Sequence, residues 1–169
     1  MNTPPITTPS TKITVSKASV FGSYKMMALT SFALLLLAIV GSVVHQPLLI
    51  PPIAATAVYI FGMPGIPGTQ PRSVVFGHVL SAVVGFGLLA LFGHDPWVAA
   101  LAAGLAGSVM NVVKLFHIPA VATAALVVLL QPNDPIVFLL LLAGASIILS
   151  LLGWVASTVT KLIKYPLYW

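Results

Sequence analysis

The sequence contains no cysteine, no glutamate and only two aspartates. The first absence excludes disulfides, thiolate metal sites and thiol nucleophiles. The others leave carboxylate acid–base catalysis and carboxylate metal sites almost without reagents, since Asp95 and Asp134 both fall in loops. No histidine pair has metal-ligand spacing on a helix. The expectation is therefore no enzymatic activity, no cofactor and no metal. Charge of either sign is scarce, at 5% of 169 residues. That is too little to solvate the surface of a soluble globule of this size. Alternating short strands with regular turn signals are also missing, which excludes a β-barrel.

What the chain has instead is apolar length. Mean hydropathy is +1.12. Charge-free apolar stretches cover Met26–Val44, Ser73–Phe92, Pro96–Val113 and Pro135–Thr160. Each approaches or exceeds the roughly 18 to 20 residues that cross a hydrocarbon core as helix. The seven cations (Lys12, Lys17, Lys25, Arg72, Lys114, Lys161 and Lys164) flank these stretches. The net charge of +5 is thus a topology signal and not a nucleic-acid footprint. The lipid bilayer is the expected partner.

Residues 1–24 differ in kind. "MNTPPITTPSTKITVSK" is rich in Thr, Ser and Pro and has no acid, which predicts a disordered or interfacial tail. The same composition fits a short transit peptide. A cleaved secretory signal fits less well, because the apolar run after Lys25 is too long for a signal core. Residues 25–169 form one membrane domain.

That domain has an internal echo. Pro52-Ile-Ala-Ala-Thr-Ala and Pro119-Ala-Val-Ala-Thr-Ala share P-x-x-A-T-A at a separation of 67 residues. Gly41-Ser42-Val43 and Gly107-Ser108-Val109 match at 66. Each half then passes a Pro-containing linker, "GMPGIPGTQP" (62–71) or "QPNDP" (131–135), into another apolar segment. The expected fold is an all-α integral membrane bundle of two internal repeats, about 26–92 and about 96–160. Each repeat is a long helix, a broken short helix and a long helix. Transporters are commonly built by such duplication.

With the N-terminus inside and six crossings, Arg72, Lys114, Lys161 and Lys164 fall inside, Asp95 and Asp134 outside, and the halves are inverted. If the short segments 52–62 and 119–130 are re-entrant, the halves run parallel instead. The short segments span only about 17 Å as helix.

Pro52 and Pro119 suit the first helical position, where an N–H would lack a partner anyway. The residues after them then offer free N–H groups and a positive dipole end. Two such ends converging at the midplane predict a small-anion site. Thr56 and Thr123, one turn on, turn a hydroxyl either to an ion or to the carbonyl one turn back. His117 either donates to an anion at the helix end or bonds a nearby carbonyl. His78, inside an apolar span, is a functional candidate by default, with helix packing as the alternative. Arg72 and Lys114 either anchor topology or draw anions to the mouth. Asn111 is a further polar lining candidate, and His45 and His94 are expected at the interface. Gly77, Ser81 and Gly85, and Ala100, Gly104 and Ser108, recur every four residues. Such small-residue faces let helices approach closely and suggest a homo-oligomer. Trp97, Trp154, Tyr165, Tyr168 and Trp169 are expected in interfacial belts.

Two blocks carry a family resemblance. "PPIAATAVYIFGMPGIPGTQPRSVVFGHVLSA" (51–82) resembles the first block of the HPP family of integral membrane proteins. "FHIPAVATAAL" (116–126) resembles the second, which holds the naming His-Pro-Pro motif. Here that motif reads His117-Ile118-Pro119, without the central proline. The likeness covers most of residues 26–155. Some members of the family carry nitrite in chloroplasts and cyanobacteria. The resemblance implies a small-anion transporter, nitrite first, in a bacterial inner membrane or plastid envelope. It also implies four transmembrane helices, a count that treats the broken segments differently. The competing expectation is a non-transporting scaffold or helper subunit that packs through its small-residue faces.

Overall fold

The computed structural model describes residues 17–161 and 163–169, with side chains from Tyr24 onward. Residues 1–16, most of the expected tail, lie outside the described residues. Six helices follow: α1 (Lys17–Val43), α2 (Pro51–Gly62), α3 (Pro71–Phe92), α4 (Pro96–Val112), α5 (Ile118–Leu130) and α6 (Pro135–Thr160). There is no strand among the described residues. Three stretches are long and apolar enough to cross a membrane: Tyr24–Val43, Pro71–Phe92 and Pro135–Thr160. The shorter α2, α4 and α5 reach about 18, 25 and 20 Å, less than a hydrocarbon core of about 30 Å.

Proline and left-handed residues punctuate this chain throughout. Helices α2 to α6 all carry proline in their first two positions, where no intrahelical N–H bond is forfeited. At the other ends, Gly93, Gln131 and Lys161 cap α3, α5 and α6 with positive φ. After α1 and α4 the left-handed residue is His45 or Lys114. Gln46 N–H then bonds Gly41 O at 2.9 Å, and Leu115 N–H bonds Met110 O at 2.8 Å. Both closures are Schellman turns. Asp134 begins α6 by accepting from Ile136 N–H and Val137 N–H at 3.0 Å each. The prolines at 52 and 119 are thus ordinary helix starts in a chain that starts its helices this way. Each sits at the second helical position, after Pro51 and Ile118, one place later than expected.

Packing gives the direction of each helix. Phe61, near the end of α2, lies with Leu29 and Ala33 of α1 and Ala156 of α6 around one cleft. Ile53, near its start, lies with Leu48, Phe138 and Leu142 around another. Consecutive helices therefore reverse direction. The alternation gathers Lys25, Arg72, Lys114, Lys161 and Lys164 at one end of the bundle and Asp95 and Asp134 at the other.

Two apolar cores result. One joins α1, α2 and α6 with Val74 and Ala82 of α3. The other, mostly alanine, joins α3, α4 and α5. Helices α3 and α5 run parallel between them, and small residues set their spacing. A Cβ on Gly77 would lie 3.0 Å from His117 Cβ, and one on Gly85 only 2.7 Å from Ala124 O. Between these glycines, Ser81 Oγ donates to Ala120 O and accepts from Ala124 N–H at 3.1 Å. Those two groups would otherwise be i, i+4 partners, so the serine stands inside the α5 ladder.

The second small-residue face is different. Ala100, Gly104 and Ser108 are all exposed, and α4 buries Val98, Ala99, Ala102, Ala106 and Met110 instead. Of the two small-residue faces, only that of α3 therefore packs within the bundle. Tyr165 also departs from its expected place. It is 2% exposed, with its ring against Gly153, while Trp97, Trp154, Tyr168 and Trp169 are exposed.

The two glycine environments make opposite predictions. Gly85→Ala should destabilise the protein by about 1–3 kcal/mol, because its methyl meets α5 backbone. Gly104→Ala, with nothing within 4 Å of its Cβ, should be neutral or slightly stabilising through helix propensity, by up to about 1 kcal/mol. Thermal unfolding of both variants in detergent micelles measures the contrast.

Candidate functional site

The site is built where α2, α3 and α5 meet the 63–70 connection. Thr56 and Thr123 occupy matching places in the two P-x-x-A-T-A segments, and His78 lies between them on α3. Thr56 Oγ1 is 2.8 Å from His78 Nε2, and Thr123 Oγ1 is 2.8 Å from His78 Nδ1. Both nitrogens of one ring are therefore held by the two echoing threonines. Thr56 Oγ1 also lies 2.9 Å from His117 Nε2 and 2.9 Å from Pro52 O. The two imidazoles meet edge-on with centroids 5.1 Å apart. Thr56, His78, His117 and Thr123 have no exposed surface.

The outer end of this chain is a backbone carbonyl. His117 Nδ1 donates to Gly68 O at 2.6 Å, which requires the proton on Nδ1 because a carbonyl only accepts. Gly68 is there because no larger residue fits: its Cβ would lie 2.8 Å from Phe116 O. Thr69 and Gln70 hold that connection in shape. Thr69 Oγ1 donates to Ile66 O at 2.8 Å, and Gln70 Nε2 to Pro64 O at 2.9 Å. Gln70 Oε1 accepts from Leu167 N–H at 2.8 Å, tying in the C-terminal segment. Tyr59 tilts over His117 with centroids 5.8 Å apart.

The expected residues divide into two groups. Thr56, His78, His117 and Thr123 converge, and Pro52 joins them through its carbonyl. Pro119 is buried at the second position of α5 but is not part of the hydrogen-bonded chain. Arg72 and Lys114 are exposed at the cationic end, where the Arg72 guanidinium reaches Lys114 O at 3.4 Å. They lie outside the buried cluster. Lys114 serves the backbone as the left-handed residue that ends α4. Asn111, His45 and His94 are likewise exposed.

One part of the sequence reasoning is overturned. The first turn of α2 presents no open amide donor, and in α5 the Ala120 N–H is taken. In α2 the first two residues are prolines, and Ile53 N–H and Ala54 N–H both bond Ile50 O, at 2.9 and 3.0 Å. In α5, Ala120 N–H bonds His117 O at 3.0 Å. The inward-facing chemistry comes from side chains one turn later. Of the two alternatives weighed for Thr56, the structure shows the bond to the carbonyl one turn back, and the same hydroxyl also meets both histidines. Gly68 and Gln70 carry no charge or repeat spacing that would have marked them individually, although both lie within the family block 51–82. Among the described residues no three His, Asp, Cys or Glu side chains cluster as a metal site would require.

Burial of the pair is testable by chemical modification. Diethylpyrocarbonate should modify exposed His45 and His94 at least about tenfold faster than His78 and His117, as expected where access needs an opening of about 1.4 kcal/mol or more. Gly68→Ala should raise modification of His117, while Gly65→Ala, with an open surrounding, should not. Peptide mass spectrometry reads each site.

Comparison with known proteins agrees with this architecture. A profile described as HPP, transmembrane region, matches residues 15–166. A transmembrane protein of Dictyostelium discoideum is 35% identical over 133 residues, covering 74% of this chain and 46% of its own length. A second transmembrane protein of that organism is 33% identical over 123 residues, covering 69% of this chain and 40% of its own. The chain thus spans less than half the length of these relatives. No solved structure matches. The chain is an integral membrane protein, and it belongs to the HPP transmembrane family.

Proposed function

We propose that this chain is the membrane unit of a transporter for a small inorganic anion, with nitrite the leading substrate. One observation carries the reading: two buried histidines share a threonine hydroxyl in the bundle interior. The whole sequence has only two carboxylate side chains, and both sit at helix starts on the far end. A histidine pair can gain positive charge, and this chain supplies no acid to complement it. A small anion is the complementary partner.

An inverted duplication is part of the same reading. Three helices occur in each half with opposite sense, α4 being shorter than its counterpart α1, and the echoing threonines hold one histidine. Transporters place their sites at such repeat interfaces. The exposed Ala100, Gly104 and Ser108 face is where we place self-association into a homo-oligomer.

Nitrite uptake by proteoliposomes of the purified full chain tests the function. Protein-free liposomes correct for nitrous acid leak. His117→Ala should cut uptake about tenfold or more, the equivalent of one charge-assisted hydrogen bond of about 1.5–3 kcal/mol. His94→Ala should change it less than about twofold, in line with its surface position. Uptake equal to that of protein-free liposomes overturns the proposal.

A further inference from the structure

The hydrogen bonds of the buried cluster can be counted. There are five contacts: His117 to Gly68 O, His117 to Thr56, Thr56 to Pro52 O, Thr56 to His78, and His78 to Thr123. Each needs one hydrogen. With both histidines neutral the cluster has four, one each from His117, His78, Thr56 and Thr123. Some contact then goes unfilled. The neutral arrangement with the best chain sends Thr123 O–H to His78 Nδ1, His78 Nε2–H to Thr56, and Thr56 O–H to His117 Nε2. Pro52 O receives nothing from the threonine.

One added proton fills every contact, and only one placement does so. His117 carries hydrogen on both nitrogens and donates to Gly68 O and to Thr56. Thr56 turns its own hydrogen to Pro52 O and accepts from both imidazoles, so its oxygen is saturated. A second proton would place two cations on rings 5.1 Å apart, which like-charge repulsion opposes. By hydrogen count alone, one added proton is thus the number the five contacts accommodate, with the Thr56 hydroxyl as the part that turns.

That proton makes a buried cation with no counter-charge. The titratable groups facing the pair are the two histidines themselves and Tyr59 of α2. Helix α3 adds only exposed Arg72, and α5 and the 63–70 connection add none. An unpaired charge in such a place is strongly disfavoured. An anion entering without the proton meets the same penalty. Each therefore raises the other's affinity, and the coupling is reciprocal.

We propose that the His78–His117 pair binds one proton together with the transported anion, so that the protein performs electroneutral proton–anion symport. This rests on the anion-transport reading above. The proton arrives from water at His117 Nε2 and the Thr56 hydroxyl turns to Pro52 O. On release the hydroxyl turns back and the proton leaves with the anion. No bond to the anion forms and nothing is oxidised. Raising the pH empties the site and lowers flux.

Proteoliposomes with a pH dye in the lumen and potential set by potassium and valinomycin test this. Protein-dependent nitrite entry should acidify the lumen with about one proton per anion, as reciprocal coupling requires. The entry rate should hardly respond to potential. An uncompensated charge would feel up to about fiftyfold across about 100 mV. Thr56→Val should lose about tenfold or more of the coupled flux, while Thr56→Ser, which keeps the hydroxyl, should retain it. Nitrite entry that is potential-driven and leaves lumen pH unchanged overturns the symport and leaves the transport reading standing. Absence of protein-dependent entry overturns both. Full coupling in Thr56→Val overturns the role of the hydroxyl, and the wild-type stoichiometry decides the symport whether or not that variant folds.

Discussion

The close parallel approach of α3 and α5 is the constraint on which the rest depends. Two glycines remove the side chains that would hold the backbones apart, and Ser81 enters the α5 ladder between Ala120 and Ala124. In lipid, apolar surface gains little by leaving one helix environment for another. Association then falls to close packing and to interhelical hydrogen bonds. This pair uses both. Parallel direction also matters, because it brings His78, the residue after Gly77, beside Thr123, one turn after Pro119. An antiparallel pair with the same glycines would separate those two side chains.

Around that pair the histidine chain is assembled from parts that are individually ordinary. Helix α2 contributes a threonine that back-bonds to Pro52 O. The 63–70 connection contributes a carbonyl, held in place by Thr69 and Gln70. His117 is positioned as the residue just before α5. Buried polar groups are costly unless every one finds a partner, and a fully bonded network rigidifies what surrounds it. Every polar side chain of the histidine cluster finds a partner, which is how this polarity is kept in a bundle with two apolar cores. The interest of the cluster is that its satisfaction depends on how many protons it holds.

The prolines that first draw the eye have a plainer role than expected. Seen along the sequence, Pro51 and Pro52 look like a break in an apolar run. Seen in the fold, they open a helix, as Pro71, Pro96 and Pro135 open others. The buried hydrogen-bonded chain sits on the threonines one turn further. Since the proline and threonine travel together in P-x-x-A-T-A, the motif marks the buried hydrogen-bonded chain through its threonines and not through its prolines. The cationic residues show the converse: Arg72 and Lys114 were legible as charges, yet their exposure leaves them at the bundle's end.

By itself, composition determined that this chain lives in a bilayer. Nine charges and long apolar runs admit no other solvent. Local residues determined the helices and their ends, because proline starts and left-handed caps act over a few positions and need no distant partner. The repeated Thr and the lone His78 inside an apolar span were legible as candidates for the same local reason. Only tertiary structure decided that Thr56, His78, His117 and Thr123 form one chain, since their contacts join residues 22 to 61 positions apart. It alone decided that Gly68 supplies a carbonyl and that Ala100, Gly104 and Ser108 face outward. Such facts follow from which helix faces meet, and in an evenly apolar sequence no periodic pattern marks the inner face.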